Sequence, residues 1–383
     1  MAWKKTNVRQ EKLKFIGDWL KKEFTISELC QRYEISRKTG YKLIARYEQE
    51  SETAFDELSK VRHHHPNETP KEIQTRIIEV KHCYPTWGSE KILIWLNRKE
   101  PNKKWPSIST GAEILKRHGL VKPRRRIRRS EEFSEPFSNC ESPNDVWSAD
   151  FKGHFRTSDR RYCYPLTITD NYSRYLLKCD GFLSPNTENA LKCFKRVFHE
   201  YGLPNAIKTD NGQPFAGLSA GGLTRLSIYW LKLGIMPERI KLGHPEQNGR
   251  HERMHRTLKA ATIAPAKSNL IFQQISFNNF IEEYNNERPH EGIDNKRPQD
   301  VYKKSTRLLP NKIPKMSYPD NFEIRSVRSN GQIQWGGKKY FISELLYREP
   351  VGLKHIDDGV VQIYFGRLKL GLIDVRNDRL IKS

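Results

Sequence analysis

At 383 residues the chain is too long for one ordinary domain, and two to four are expected. It carries 68 Lys and Arg against 45 Asp and Glu, a net charge of +23, which points to a polyanionic partner, nucleic acid before membrane. With 36% hydrophobic and 11% aromatic residues it has material for real cores, so a wholly disordered basic tail is excluded.

Residues 1–50 predict a small helical bundle. Leu13, Phe15, Ile16, Trp19 and Leu20 recur at helical spacing. A short helix follows through Leu29 and Tyr33, with Thr25 or Ser27 as its cap, then a turn at Glu34-Ile35 and a second helix capped by Ser36. Arg37, Lys38 and Lys42 near the start of that second helix make a helix-turn-helix pattern whose recognition helix would enter a major groove. Residues 51–68 read as a linker. Its run His63-His64-His65 is a poor tetrahedral ligand set with no cysteine pair nearby.

Residues 69–122 predict a second helix-turn-helix unit. Ile73, Ile77, Ile78 and Val80 form one apolar face; Ile92, Leu93, Trp95 and Leu96 form another; Ser107 or Ser109 opens a third helix that ends at Gly119. A basic linker, 123–142, follows. Lys122, Arg124, Arg125, Arg126, Arg128 and Arg129 continue a run begun at Lys116 with no acid between them, as a segment tracking DNA would require.

From 143 to 303 the pattern is α/β. Strands are expected at 146–151, 162–169, 175–182 and 205–209, and helices at 187–201, 223–233, 246–261 and 272–286, giving a layered domain with a mixed sheet. The tail, 318–383, alternates at period two between Asn330-Gly331, Gly336-Gly337 and Asp358-Gly359 turns, which predicts a small antiparallel SH3-like β-barrel. No apolar run reaches the ~18 residues that span a bilayer, and no secretory leader is visible. The six cysteines contain no C-x-x-C pair and read as reduced thiols of a cytoplasmic protein.

Three acids stand out. Asp150 interrupts an apolar strand, where a carboxylate is costly unless paired with a cation. Asp210 follows the fourth strand at a sheet's carboxyl edge, directly before Asn211-Gly212. Glu252 lies in the helix that begins near Pro245. Three carboxylates meeting at a sheet edge are natural ligands for Mg²⁺, and two such ions ~4 Å apart serve phosphoryl transfer. Metal ions would also explain why a strongly basic chain gathers negative charge at its DNA surface.

The strings Trp147-Ser148-Ala149-Asp150-Phe151-Lys152-Gly153, Thr209-Asp210-Asn211-Gly212 and His244-Pro245-Glu246-Gln247-Asn248-Gly249-Arg250-His251-Glu252-Arg253 resemble the three motifs of bacterial insertion-sequence transposases with a retroviral-integrase-type core, the DDE recombinases. The resemblance covers roughly 140–300, and in layout the whole chain. It implies a ribonuclease-H-like core in a multidomain protein, with Asp150, Asp210 and Glu252 as catalytic residues and ligands of two Mg²⁺ (Mn²⁺ as a substitute). The interval from Asp210 to Glu252 is 42 positions, longer than the family's usual one, and the Gly217 to Gly222 loop would house the excess.

Glu246 is the rival third acid, but the motif places its carboxylate after Asn-Gly, which selects Glu252. Arg256 and Lys259 follow on Glu252's own helical face, placed for phosphate contact. Asn211 and Gly212 would shape the loop at the DNA, and Lys152 either nears the scissile strand or is merely solvated. Asp170, in Asp-Asn-Tyr-Ser, is turn chemistry, and His244 and His251 suit packing or capping. Helix-turn-helix units replace the retroviral zinc module.

The function these readings predict is a transposase that binds terminal inverted repeats, cleaves at the element's ends and joins the 3′ hydroxyl to target DNA. Its partners would be double-stranded DNA and further copies of itself, at least a dimer, with no membrane, in the cytoplasm at the nucleoid. The alternatives are a transposase-derived DNA-binding regulator with an inactive core, and a ribonuclease-H-like nuclease for RNA–DNA hybrids, which the two helix-turn-helix units disfavour.

Overall fold

The computed structural model describes residues 7–56, 68–121, 140–151, 153–217, 219–240, 249–377 and 379–382. The chain divides into two compact units, Met1–Glu68 and Thr69–Ser383. In the first, α1 (Val8–Leu20), α2 (Ile26–Arg32) and α3 (Arg37–Glu50) enclose Phe15, Ile16, Leu29, Cys30, Ile44 and Phe55. Asn7, Thr25 and Ser36 cap the three helices, and Thr25 exchanges hydrogen bonds with Glu28 in a full capping box. A Cβ at Gly40 would stand 2.5 Å from Cys30 Sγ, so a glycine is what lets α3 cross α2 this closely. Arg37, Lys38 and Lys42 are exposed on the first turns of α3.

The second unit opens with α4 (Lys71–Cys83), α5 (Ser89–Lys99) and α6 (Ile108–Arg117), packed around Ile77, Trp87, Ile92, Leu96 and Ile114. Ser107 caps α6. Lys122, Arg124, Arg125, Arg126, Arg128 and Arg129 lie outside the described residues, as do Lys152, His244 and Glu246.

The centre holds β1 (Val146–Phe151), β2 (Phe155–Arg156), β3 (Tyr162–Asp170), β4 (Leu176–Phe182), α7 (Thr187–Tyr201), β5 (Ala206–Thr209), α8 (Arg225–Lys232) and β6 (Met236–Arg239). β4, β3 and β1 run antiparallel, β1, β5 and β6 parallel, so the order β4-β3-β1-β5-β6 is that of a ribonuclease-H-like mixed sheet, and β2 extends the line of β1 along β3. β6 escaped the sequence reading. Among the described residues it is an edge strand, where Pro237 is tolerated because no described outer neighbour needs its N–H. Period-two alternation sends Trp147 and Ala149 of β1 and Ile207 of β5 into the main core with α7, and Ser148, Asp150 and Lys208 to the opposite face. That second face is covered by α9 (Gly249–Leu258) and α10 (Leu270–Glu282), which pack Met254, Leu258, Phe277 and Phe280 on Leu176 and Cys179. A short α11 (Pro298–Val301) leads out of the core.

The tail forms β7 (Glu323–Ser326), β8 (Gln332–Trp335), β9 (Lys338–Phe341), β10 (Pro350–Asp357), β11 (Val360–Phe365), β12 (Leu368–Asp374) and β13 (Arg379–Lys382), the last not foreseen. The expected SH3-like closure is not found among the described residues: β13-β12-β11-β10-β7 is an open antiparallel sheet, and β8 and β9 pair only with each other. The apolar face of the sheet is covered by Ile333, Tyr340 and Ile342 of the β8–β9 segment and by a second element from the core domain. Ala220, Leu223, Ile228 and Leu231, from the loop before α8 and from α8 itself, pack with Val351, Leu353, Val361, Ile363 and Leu370. The Gly217 to Gly222 loop, read above as mere excess length, is thus part of the seat of the tail sheet.

Candidate active site

Asp150 is half-buried near the carboxyl end of β1, opposite Thr167 of β3. Its neighbour on the other side is β5, whose last parallel pair with β1 is Ala149↔Thr209. One step further along both strands come Asp150 and Asp210, on chains that run ~4.8 Å apart. The two acids therefore stand at the ends of adjacent strands, although Asp210 is not in the close group that Asp150 forms with α9.

Asp210 turns back on its own loop. The Gly212 N–H bonds its carboxylate, while burial, the larger effect, pushes its pKa above the usual carboxylate range. Its Oδ1 is buried and has no hydrogen-bond partner among the described residues. A Cβ on Gly212 would fall 2.9 Å from Asp210 Oδ2, so a side chain there would push the carboxylate aside. Asn211 donates from Nδ2 to the Ile240 carbonyl at 2.9 Å, tying the loop to the end of β6.

On α9, His251, Met254, His255 and Leu258 are buried and Glu252 is exposed. The spacing explains the division: 251, 255 and 258 share one helical face, and residue 252 is turned ~100° away. Glu252 is not among the groups whose donor atoms gather tightly. The His, Cys, Asp and Glu side chains that do so, within 4.8 Å of one another among the described residues, are Asp150, His251 and His255. Arg256 is exposed one turn beyond Glu252, and Lys259 is exposed where the helix widens into a π turn, Lys259–Ile263.

The two histidines are held by threonines. Thr167 Oγ1 lies 2.8 Å from His251 Nε2 and 2.6 Å from His255 Nε2, and Thr169 Oγ1 lies 3.0 Å from His251 Nδ1. Thr167 Oγ1 also lies 3.2 Å from the Asp150 carbonyl. One hydroxyl has a single proton for these three neighbours, and the carbonyl cannot donate. At least one imidazole must therefore present Nε2–H to it. His255 Nδ1 faces Asp150 Oδ2 at 3.8 Å, closing a chain from α9 to the carboxylate. His251, for which packing or capping was expected, is buried and held through both ring nitrogens beside Asp150 and His255. His255 was not singled out in the sequence, although its spacing of four from His251 was the available signal.

Asp170 is structural. It accepts from Asn144 N–H at 2.8 Å and from Ser173 N–H and Oγ at 2.8 and 2.6 Å, fixing the turn after β3.

The donor set fits a hard divalent cation. Oxygen ligands are what Mg²⁺ takes, and Asp210 Oδ1 is a buried oxygen without a hydrogen-bond partner among the described residues. Three of the four imidazole nitrogens, by contrast, already lie within hydrogen-bond distance of threonine hydroxyls, and the fourth, His255 Nδ1, faces Asp150 Oδ2 at 3.8 Å.

Comparison with known proteins agrees with this layout. The Integrase core domain family matches residues 141–245, and a second family of the same description matches 233–298. Residues 322–380 match the C-terminal domain of IS481 family transposases, and 11–59 match a helix-turn-helix domain. The Gag-Pol polyprotein of baboon endogenous virus (strain M7) is 30% identical over 120 residues, covering 30% of this chain and 6% of that protein. The Pol polyprotein of feline endogenous virus ECE1 is 31% identical over 121 residues, 30% of this chain and 10% of that protein. The chain thus spans a tenth or less of these relatives.

Among solved structures, the HTLV-2 integrase catalytic core domain in complex with magnesium is 15% identical and covers 43% of this chain and 99% of that one, with a TM-score of 0.34. A chain of the simian T-cell lymphotropic virus intasome in complex with PP2A regulatory subunit B56 gamma is 15% identical and covers 80% of this chain and 95% of that one, with a TM-score of 0.39. A helix-turn-helix domain, an integrase core domain and the C-terminal domain of IS481 family transposases thus follow one another along one polypeptide, the layout that the resemblance to insertion-sequence transposases with a retroviral-integrase-type core implies.

Proposed function

We propose that the protein binds the ends of its element, cleaves one strand at each and joins the freed 3′ hydroxyl to target DNA. The observation that carries this reading is that Asp150 lies near the carboxyl end of β1 and Asp210 directly follows β5, its parallel neighbour, with Asp210 Oδ1 buried and without a hydrogen-bond partner among the described residues. Asp150, Asp210 and Glu252 would hold two Mg²⁺, which when bound activate the attacking oxygen and stabilise the leaving one. The chain's own residues do the remaining work. Gly212 lets backbone approach the phosphate, Asn211 fixes the loop, His255 orients the Asp150 carboxylate, and Arg256 and Lys259 neutralise flanking phosphates. Lys152 belongs to the same DNA path.

The first helix-turn-helix, through Arg37, Lys38 and Lys42, and a second recognition unit over residues 69–122 read the terminal repeats. The basic linker 123–142 follows the backbone. The core over 143–303 carries the chemistry, and the tail over 318–383 bridges DNA or subunits. Cutting and joining at paired ends needs at least two copies.

The test is strand cleavage and joining on end-containing duplex with Mg²⁺. Asp150→Asn, Asp210→Asn and Glu252→Gln should each lower the rate by on the order of a thousandfold or more, since a metal-held transition state loses several kcal/mol of stabilisation. Wild-type rates in Asp150→Asn or Asp210→Asn would refute the site. Full activity in Glu252→Gln alone would remove that residue from the ligand set. Specific end binding with no metal-dependent cleavage by the wild type would favour the regulator reading, to which the position of Glu252 outside the close group lends itself.

A further inference from the structure

Beyond Phe151 the chain overhangs the carboxyl edge of β1. Gly153, at φ 57°, turns it so that His154 comes back over the start of β3. There His154 meets Tyr162 edge-on, ring centroids 5.1 Å apart, and Tyr164 at 5.3 Å, while the two tyrosine rings lie 6.1 Å from each other. Arg156, paired with Tyr162 across the β2–β3 ladder, sets its guanidinium 4.7 Å from the Tyr162 ring centroid and donates to its hydroxyl at 2.8 Å. The hairpin tip adds exposed Arg160 and Arg161. The hairpin's acid, Asp159, is occupied by the Thr157 hydroxyl and the Arg161 N–H. The tip itself is anchored, because Ser158 and Asp159 donate backbone N–H to the Lys267 and Ser268 carbonyls at 3.0 Å each.

Three aromatic rings and three arginines at a pinned sheet edge are more than folding needs. Core aromatics bury their faces, yet Tyr162 keeps 39% of its surface in solvent and His154 is exposed. Arginine next to aromatic rings is the chemistry that grips a strand with its bases unstacked: guanidinium groups take the phosphates, ring faces take the bases. Tyr164 lies three residues, or ~10 Å, along β3 from Thr167, the partner of Asp150; its side chain is on the other face of the sheet, so a strand reaches the rings past the carboxyl end of β1.

We infer that His154, Tyr162 and Tyr164, with Arg156, form a stacking platform for an unpaired DNA strand leaving the catalytic edge. The inference deepens the proposed function and rests on its nucleic-acid reading. Its readout, however, is binding without metal, so it stands or falls separately from cleavage.

The test uses the full chain in EDTA. Its probes are a fluorescein-labelled oligothymidylate of about 12 nucleotides and a blunt duplex of similar length. Tyr162→Leu should weaken oligothymidylate binding by roughly 5- to 150-fold, the range for losing one stacked base, and change duplex binding less than about twofold. Arg160→Gln should weaken both probes alike, as charge loss does. Tyr162→Trp, which keeps the ring, should bind the single strand as tightly as wild type. Equal losses on both probes in Tyr162→Leu, no loss on either, or a Trp variant as weak as the Leu one would each overturn the platform. Asp150→Asn, dead in cleavage under the proposed function, should bind the oligothymidylate like wild type.

Discussion

Thr167 is the residue on which the arrangement around Asp150 turns. It is fully buried, and its one hydroxyl lies within bonding distance of both α9 imidazoles and the Asp150 carbonyl. Thr167→Val keeps the shape and removes the oxygen, leaving buried nitrogen on two rings without its partner. Each such group costs about 1–3 kcal/mol, and a shared network concentrates the loss. Thr167→Val should therefore lower unfolding free energy by about 2–4 kcal/mol in urea titration, while Thr167→Ser, which restores the hydroxyl, should recover most of it. An unchanged midpoint in Thr167→Val would mean the imidazoles find other partners. Residues such as these were the hardest to foresee. The alternation of β1 exposes Asp150 as an anomaly, and the end of β5 exposes Asp210, because both signals are local. The threonine–histidine network joins β3 to a helix more than eighty positions away, and no local pattern carries that contact.

At the scale of elements, caps and apolar periodicity marked the helices because each signal lies within one turn of the chain. Strand ends β6 and β13 were missed for the converse reason: four residues long at sheet edges, they are defined by their neighbours rather than by themselves. The tail's closure failed likewise. Period two tells which residues share a face, and cannot tell that α8 covers that face from outside. α5 gives a further case. Trp87 Nε1 donates to Glu283 at 3.0 Å and Trp95 Nε1 to Glu287 at 2.6 Å, so the helical unit over 69–121 is bonded to the π turn that continues α10. Burial pushes the Glu283 carboxyl above its ordinary pKa, while the Arg288 charge and the Trp87 hydrogen bond oppose the shift, so charge and hydrogen bond both bear on the contact. Two substitutions separate these contributions. Glu283→Gln, which keeps an acceptor, should leave stability within about 0.5 kcal/mol of wild type. Glu283→Ala, which leaves the fully buried Trp87 indole N–H unpaired, should cost about 1–3 kcal/mol by chemical denaturation. Equal effects would show that charge, not the hydrogen bond, joins the two elements.

For the whole molecule, charge and recognition are divided unequally between the two compact units. Residues 1–68 hold 14 basic and 11 acidic side chains, a net +3 out of the chain's +23. The helix-turn-helix domain there has the geometry to read a groove but little of the field that draws a chain to DNA. The field belongs to residues 69–383, which also hold the integrase core and a set of hydrophobic clusters complete without residues 1–68. Salt-dependent affinity counts phosphates neutralised, whereas discrimination counts base edges contacted, so deleting the first unit should separate the two. A 69–383 fragment is expected to keep a cooperative melt close to that of the full chain. It should also keep most of the slope of log K against log salt on random duplex. Its preference for element ends over random DNA should fall by at least tenfold, measured by competition at fixed ionic strength. A fragment that lost the slope while keeping its preference would invert this division and place end recognition in the residues after 68.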